Sequence, residues 1–140
     1  MAAVARYLAD TSAITRFPHT EVAAELGPLV ADGVLATCGV IDLELRYSAR
    51  GSAAYTRIAA TRRESFAWLS TEDIDLHRAL DIQTELAERG LHRTAWPELL
   101  IAAVAERHGV TVLHYDAEYD LIAEITGQSV AWVVPKGSLS

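Results

Sequence analysis

The sequence is poor in cysteine and lysine, and it lacks any long apolar run. Its single cysteine, Cys38, excludes an internal disulfide framework and a metal site built from several thiolates, and it fits a reducing compartment such as the cytoplasm. Charged residues interrupt every apolar run well before the ~18 residues that a membrane span requires, so we expect no membrane segment. Residues 1–4 carry no basic group and Asp10 follows soon after, so we expect no signal peptide.

The balance of charge narrows the possible functions. Twelve lysine and arginine residues stand against nineteen aspartate and glutamate residues, which gives a net charge of −7. This balance excludes a general nucleic-acid coat protein, but it is compatible with a nuclease whose carboxylates hold a metal ion. A length of 140 residues, 51% of them hydrophobic, predicts one domain, which we place at residues 1–135 with a short C-terminal tail at 136–140.

Short apolar segments alternate with longer amphipathic ones along the chain. Strands are predicted at residues 4–9, 34–38, 110–114 and 130–134, with a minor strand at 68–70. Helices are predicted at residues 13–17, 21–32 (divided by Gly27-Pro28), 40–49, 53–68, 74–89, 96–108 and 121–126. Strands separated by helices indicate a parallel sheet with right-handed crossovers. The expected fold is therefore a three-layer α/β/α domain with a central sheet of four to five parallel strands.

Acidic residues follow two of the predicted strands, at Asp10 and Asp116. Ligands of open parallel sheets bind beyond the carboxyl ends of the strands, so these carboxylates meet if the two strands are neighbours. Glu44 and Glu98 lie near the starts of two predicted helices, where a side chain can reach the same edge. Two carboxylates about 4 Å apart repel each other by ~1–4 kcal/mol, so a cluster of four must bind protons or a cation. Oxygen ligands of this kind suit Mg²⁺ or Mn²⁺.

Each of these acidic residues also has a structural interpretation. Asp10 before Thr11 is typical of a turn or a helix cap, and first-turn acids such as Glu44 and Glu98 gain ~0.3–1 kcal/mol from the helix dipole. Taken singly, each acid is more commonly structural, and only their combination favours a site. Asp42 lies two residues before Glu44 and faces nearly the opposite way on a helix, so we interpret it as a capping acid.

The remaining chemical groups are weaker candidates. Glu118 and Asp120 follow the second aspartate, and either can supply a further metal ligand. His108 and His114 lack zinc-ligand spacing with a third histidine, which favours surface or core roles. Cys38, in a predicted strand, is interpreted as a small buried apolar residue.

Four segments together resemble PIN domains, and specifically the VapC toxins of bacterial VapBC toxin–antitoxin pairs. In chain order they are Leu8-Ala9-Asp10-Thr11-Ser12-Ala13, Glu44, Pro97-Glu98-Leu99-Leu100-Ile101-Ala102-Ala103, and residues 112–123. The resemblance extends over nearly the whole chain, to the predicted strand through Trp132. The Asp-Thr-Ser triplet alone is a weak signal, whereas four segments in this order and spacing are specific.

This resemblance implies a PIN-like doubly wound sheet, a homodimer, and a metal-dependent endoribonuclease that cleaves structured RNA such as tRNA or ribosomal RNA. By position, Asp10, Glu44, Glu98 and Asp116 correspond to the acidic quartet that holds Mg²⁺ or Mn²⁺, with Glu118 as a further ligand. The chain departs from the family at Glu98, where aspartate is usual, and at Glu118, where aspartate is common. The resemblance also implies a cognate VapB-type antitoxin, a larger toxin–antitoxin assembly, and inhibition of translation and growth.

Residues around the quartet suggest how RNA is held. Thr11 and Ser12 are expected to hydrogen-bond a metal-bound water or a phosphate. From Glu44 to residue 63 the chain has five arginines against one acid, a local charge of +4. This asymmetry predicts a surface that contacts RNA or the antitoxin, with a solvated helical face as the alternative for each arginine. The arginines are Arg46, Arg50, Arg57, Arg62 and Arg63.

Other functions fit the sequence less well. A catalytically weakened PIN-like module that binds RNA or protein is the main alternative, and it is favoured if Glu98 does not bind metal. A response-regulator receiver needs a lysine near its phosphorylated aspartate, and the only lysine is Lys136, in the tail. A haloacid-dehalogenase phosphatase needs Asp-x-Asp after its first strand, whereas Asp10 is followed by Thr11 and Ser12.

Overall fold

The computed structural model describes residues 4–139, so the first three residues of the predicted domain and the last residue of the predicted tail lie outside the described residues. The described chain contains five strands and seven helices. In order these are β1 (Tyr7–Ala9), α1 (Thr11–Ile14), α2 (Thr20–Ala31), β2 (Leu35–Thr37), α3 (Gly39–Tyr47), α4 (Ser52–Ser65), β3 (Ala67–Trp68), α5 (Asp73–Glu88), α6 (Trp96–His108), β4 (Thr111–His114), α7 (Glu118–Thr126) and β5 (Val130–Trp132).

All five strands are parallel, and they lie side by side in the order β3-β2-β1-β4-β5. The predicted three-layer α/β/α domain with a parallel central sheet is therefore confirmed. The central strand, β1, pairs with β2 through Leu8 and Ala36, and with β4 through Ala9 and Leu113. The strand order reverses at β1, and in open parallel sheets such a switch point opens a crevice for ligands.

Two clusters of buried side chains hold the layers together. The strand residues of the larger cluster are Leu8, Ala36 and Val112, and those of the smaller cluster are Ala9, Leu35 and Leu113. Successive side chains of a strand point to opposite faces, so each cluster covers one face of the sheet. Helices α3, α5, α6 and α7 contribute to the larger cluster, and α1 and α2 contribute to the smaller one.

Helix α6 is the most deeply buried element of the larger layer. Every residue from 99 to 105 is buried, as expected for a helix that is apolar on all sides. The helix has Pro97 in its first turn and ends at Gly109, whose left-handed φ of 68° suits glycine. This packing fixes the position of Glu98, one residue after the proline. None of the helices within residues 4–139 combines the length and the apolar character needed to cross a membrane.

The predictions for α2 and α4 are wrong in one feature each. Pro28 lies inside α2 and does not divide it, because Leu26 before it and Leu29 after it both pack against the sheet and hold the two halves in line. Helix α4 ends at Ser65 and not at residue 68, because Phe66 is extended and leads into the edge strand β3. The minor strand predicted at 68–70 therefore lies slightly earlier, at Ala67–Trp68.

Candidate active site

Asp10 lies at the end of the central strand and caps the N-terminus of α1. Its side chain is almost fully buried, with 1% of the residue exposed. One carboxylate oxygen accepts hydrogen bonds from the backbone N–H of Ser12, at 3.0 Å, and from the Ser12 hydroxyl. The other oxygen accepts from the Tyr119 hydroxyl at 2.7 Å. The backbone N–H of Tyr115 donates to Ser12 Oγ at 2.9 Å, which ties the turn after β1 to the end of β4.

Glu44, on α3, reaches the same edge of the sheet. Thr11 donates its hydroxyl to Glu44 Oε1 at 3.0 Å. Burial raises the pKa of Glu44, the hydrogen bond from Thr11 lowers it, and the charge of Asp10 raises it again. Thr11 and Ser12 were predicted to bind a metal-bound water or a phosphate, and in the structure both hydroxyls donate to carboxylates of the quartet.

Asp116 follows β4, which is the neighbour of β1. The backbone N–H of Asp10 donates to the Leu113 carbonyl at 2.9 Å, so the two aspartates follow adjacent strands. Asp116 Oδ1 accepts from the backbone N–H of Glu118 at 2.9 Å, and the backbone N–H of Asp116 donates to His114 Nδ1 at 3.1 Å. The sheet order thus brings together two acidic residues that are far apart in the chain.

Glu118 and Asp120 bond to other parts of the protein. The carboxylate of Glu118 accepts from the backbone N–H of Ala95 at 2.8 Å, at the residue that precedes α6. The carboxylate of Asp120 accepts from the Trp132 indole at 3.3 Å. Glu118 therefore joins the start of α7 to the start of α6, on which Glu98 lies.

Glu98 has the most strongly perturbed carboxyl group of the quartet. Its Oε2 is buried and meets no hydrogen-bond donor among the described residues. Burial above all, and then the charges of Asp10, Asp116 and Glu44, raise the pKa of Glu98 to about 7. The four carboxyl groups are therefore coupled through their charges, and Glu98 has a free acceptor oxygen within the set.

The four carboxyl groups are coupled without being tightly clustered. Within residues 4–139, no three His, Cys, Asp or Glu side chains lie close enough together to surround one ion. The Asp10 oxygen that accepts two hydrogen bonds from Ser12 uses both of its lone pairs, whereas the oxygen that accepts from Tyr119 keeps one lone pair for a further ligand. Oxygen donors with an excess of negative charge suit a hard divalent cation, so the donor chemistry fits Mg²⁺ or Mn²⁺.

Tyr119 is the site residue that the sequence analysis missed. It is fully buried, and burial raises its pKa well above the usual value, so its hydroxyl remains a hydrogen-bond donor to Asp10. The helix predicted to begin at Leu121 left Tyr119 in a loop, whereas α7 begins at Glu118 and turns the ring inward. His114 is buried beside the Tyr119 ring, and burial lowers its pKa, which agrees with the predicted core role.

Two predictions on α3 and α4 are corrected by the structure. Asp42 is not a helix cap, because it is buried and accepts from the Thr37 hydroxyl at 2.7 Å and from Arg62 Nε at 3.1 Å. The side chain of Arg62 is 3% exposed, so the solvated helical face that was the alternative for each arginine does not apply to Arg62. The other arginines of the predicted surface remain partly or fully accessible: Arg46, Arg50, Arg57 and Arg63.

We expect Tyr119→Phe to lower the free energy of unfolding by about 1–2 kcal/mol, because a buried oxygen of Asp10 loses its donor. Urea denaturation measures the change. The matched control is Tyr47→Phe, which removes a hydroxyl from a side chain that is 94% exposed and is expected to change stability by less than about 0.5 kcal/mol. Equal stability of the Tyr119→Phe protein and the parent would show that this hydrogen bond contributes nothing.

Comparison with known proteins agrees with this fold. The profile of the PIN domain matches residues 7–125, so the chain belongs to the PIN domain family. Ribonuclease VapC21 of Mycobacterium tuberculosis (strain H37Rv) is 43% identical and aligns with 95% of this chain and 97% of its own length. Ribonuclease VapC51 of the same strain is 41% identical over 96% of this chain and 97% of its own length. Within the PIN family the chain is thus a member of the VapC ribonucleases, as the resemblance predicted.

A solved structure supports the fold independently of close sequence similarity. VapBC2 from Rickettsia felis, bound to a DNA fragment from its promoter, superposes with a TM-score of 0.73 at 15% identity. The match covers 93% of this chain and 98% of that chain. The arrangement of strands and helices is therefore shared across the family even where few residues are.

Proposed function

We propose that this protein is the toxin of a VapBC-type toxin–antitoxin pair, and that it is a metal-dependent endoribonuclease that cleaves tRNA or ribosomal RNA and so stops translation. The observation that carries the proposal is the set of four coupled carboxyl groups at the switch point of the sheet, in which Glu98 Oε2 is buried without a donor among the described residues. The identity to ribonucleases of the VapC family supports the same reaction class.

The residues that would hold the metal ion are Asp10, Glu44, Glu98 and Asp116. Mg²⁺ usually keeps several water ligands and binds through one or two carboxylates, so a site for it does not require three side chains in direct contact. A bound ion would polarise the scissile phosphate and lower the pKa of a water. The protein's own contribution is orientation, since Tyr119 and Ser12 fix Asp10 while Thr11 fixes Glu44.

RNA cleavage in the presence and absence of metal tests this proposal. We expect new RNA 5′ ends when the purified protein is incubated with total RNA in Mg²⁺ or Mn²⁺, none in EDTA, and recovery when metal is returned. Sequencing of the new ends identifies the substrate. Cleavage that persists in EDTA would refute metal dependence. An absence of new ends in either metal would refute the nuclease and favour the catalytically weakened binding module.

We also propose a VapB-type antitoxin as the partner that silences the site. The acidic quartet complements a basic side chain, so an antitoxin helix with an apolar face and an arginine fits this edge of the sheet. Two structural relatives, from Rickettsia felis and Salmonella typhimurium, are VapBC complexes. To test this partner, the protein is co-expressed with the product of the adjacent small gene, and the cleavage assay is repeated on the co-expressed pair.

A homodimer is proposed from the apolar surface that α5 and α6 expose. A groove of about 410 Å³ runs between these helices, and its exposed apolar residues are Leu76, Leu80 and Trp96. Exposed apolar patches of this kind mark protein interfaces, and a twofold dimer would cover the same patch on both copies. Light scattering measures the mass in solution.

A further inference from the structure

A second polar pocket lies beside the acidic edge, between α3, the end of α4, and strands β2 and β3. It encloses about 320 Å³, which is at the lower end of the range for small-ligand sites. Three arginines, one acid and two aromatic residues line it: Arg46, Arg62, Arg63, Asp42, Phe66 and Trp68. The proposed catalytic chemistry uses none of these side chains.

Arg62 is a buried cation with an unsatisfied donor. Its side chain is 3% exposed, its Nε donates to Asp42, and its guanidinium carbon lies 3.7 Å from the centre of the Phe66 ring. Its Nη2 is buried and has no acceptor among the described residues. Buried charged donors are nearly always hydrogen-bonded, so an unpaired one needs a specific explanation. Burial lowers the pKa of Arg62, but an arginine keeps its charge in proteins.

The charge of the pocket is not balanced by its own acid. Arg46 Nη2 lies 3.7 Å from Asp42 Oδ2, while Arg46 Nε is buried and has no acceptor in the described part of the chain. Arg63 is exposed, and it makes no ion pair with a described carboxylate. Three guanidinium groups against one carboxylate leave two positive charges, so the pocket favours an anion.

The position of the pocket indicates which anion it receives. Trp68 of β3 lies opposite Thr37 of β2, and β2 is the neighbour of the strand that ends at Asp10. Strands are about 4.8 Å apart, so the end of β3 lies roughly 10 Å from the end of β1. Phosphates follow each other about every 3.4 Å of axis along a duplex strand, so a strand at the acidic site reaches the pocket within a few nucleotides.

The positive charge of the pocket also offsets the repulsion between the acidic quartet and RNA. Four carboxylates repel a polyanion, and cationic groups one or two strands away oppose that repulsion. A basic antitoxin side chain suits the acidic quartet and not this cationic pocket, which favours the RNA phosphate as the occupant of the pocket. Trp68 is 63% exposed and offers an aromatic face, on which a base can stack next to a bound phosphate.

We propose that this pocket is a phosphate-binding subsite for the RNA strand, in which Arg46, Arg62 and Arg63 bind a phosphate near the scissile one and Trp68 stacks on the neighbouring base. The subsite rests on the proposed function, because the strand it binds is the substrate of the acidic site.

Binding of a fluorescent 12-nucleotide single-stranded RNA in EDTA tests the subsite without cleavage. Arg63→Gln is expected to weaken binding roughly tenfold and to reduce the slope of log K against log salt by about 0.7, the value for one phosphate contact on a single strand. Trp68→Ala is expected to weaken binding about tenfold with the slope unchanged, because stacking carries no charge. Arg6→Gln is the matched control. Arg6 is exposed and directly precedes β1, so it lies at the N-terminal ends of the strands, away from the acidic site.

Three outcomes would overturn the subsite. In the first, Arg63→Gln and Arg6→Gln behave alike in affinity and in salt slope. In the second, inorganic phosphate binds at the pocket and RNA does not displace it, which would indicate a site for free phosphate. In the third, Arg63→Gln loosens the antitoxin complex and leaves RNA binding unchanged. If the parent cleaves RNA while the pocket variants bind it normally, only the subsite fails, whereas a parent that neither binds nor cleaves RNA removes the proposed function itself.

Discussion

Asp10→Asn is expected to abolish RNA cleavage and growth inhibition, with a loss in rate of more than about 100-fold. Removing residues that only support metal ligands commonly costs 10–100-fold, and Asp10 is proposed as a ligand itself. The substitution removes the charge with little change in shape. Asparagine has one acceptor oxygen, so its amide nitrogen has to face either Ser12, which loses its acceptor, or Tyr119, whose hydroxyl then accepts and no longer donates. We expect the fold to persist with a loss of about 1–2 kcal/mol in stability.

The measurements for this variant are cleavage rate, circular dichroism and urea denaturation. Asp32→Asn is the matched control, because it makes the same change at an exposed residue after α2 and is expected to leave the rate unaltered. A well-folded Asp10→Asn protein that cleaves RNA at the parent rate would remove the nuclease assignment from this edge of the sheet.

Glu98→Gln is expected to stabilise the metal-free protein at pH 8 and to weaken its activation by metal. The pKa of Glu98 is raised from 4.5 to about 7, so between these values the folded protein holds a proton that the unfolded chain has lost. The contribution of Glu98 to stability therefore falls as the pH rises through this window. Glutamine has no charge to bury. Because Glu98 is only half-buried, we expect the free energy of unfolding of the Glu98→Gln protein to exceed that of the parent by about 1–2 kcal/mol at pH 8, and to equal it at pH 4.

The change in stability is measured by thermal denaturation in EDTA at both pH values. The change in metal activation is measured as the cleavage rate at a series of metal concentrations. Glu98→Asp introduces the residue that the resemblance to VapC toxins implies at this position, so we expect equal or greater activity, with the larger gain in Mg²⁺, which demands stricter geometry than Mn²⁺. Glu88→Gln, at an exposed residue of α5, is the control. If Glu98→Gln matches the parent in both metals at every concentration, Glu98 is a first-turn helix acid, and the site rests on Asp10, Glu44 and Asp116.

The strand ends were the part of the site that could be predicted from sequence. An aspartate that follows a short apolar strand has a position that the backbone largely determines. That Asp10 and Asp116 follow neighbouring strands was a condition of the prediction, and the observed sheet order meets it. Tyr119 could not be predicted in the same way, because its contact with Asp10 depends on the first turn of α7. A change of three residues in the start of a helix decides whether that ring is buried or in a loop.

The buried ion pair between Asp42 and Arg62 could not be predicted from the sequence pattern either. Helix α4 has few large apolar residues, so its sequence does not show which side faces the protein. Arg62 and Arg63 are adjacent and chemically identical, yet one is buried and the other is exposed. Side chains at successive helical positions lie on different faces, and only tertiary packing determines which arginine meets Asp42.

The hydrogen bond between Tyr119 and Asp10 joins residues 109 positions apart, so the proposed site cannot form before both residues have been synthesised. At a synthesis rate of 5–20 residues per second, roughly 5–20 s separate the emergence of Asp10 from that of Tyr119. Asp116 and the start of α7 also come late in the chain, so a chain synthesised only as far as residue 115 lacks one carboxylate of the quartet and the donor that fixes another. The proposed site is therefore assembled only after most of the PIN domain has been synthesised.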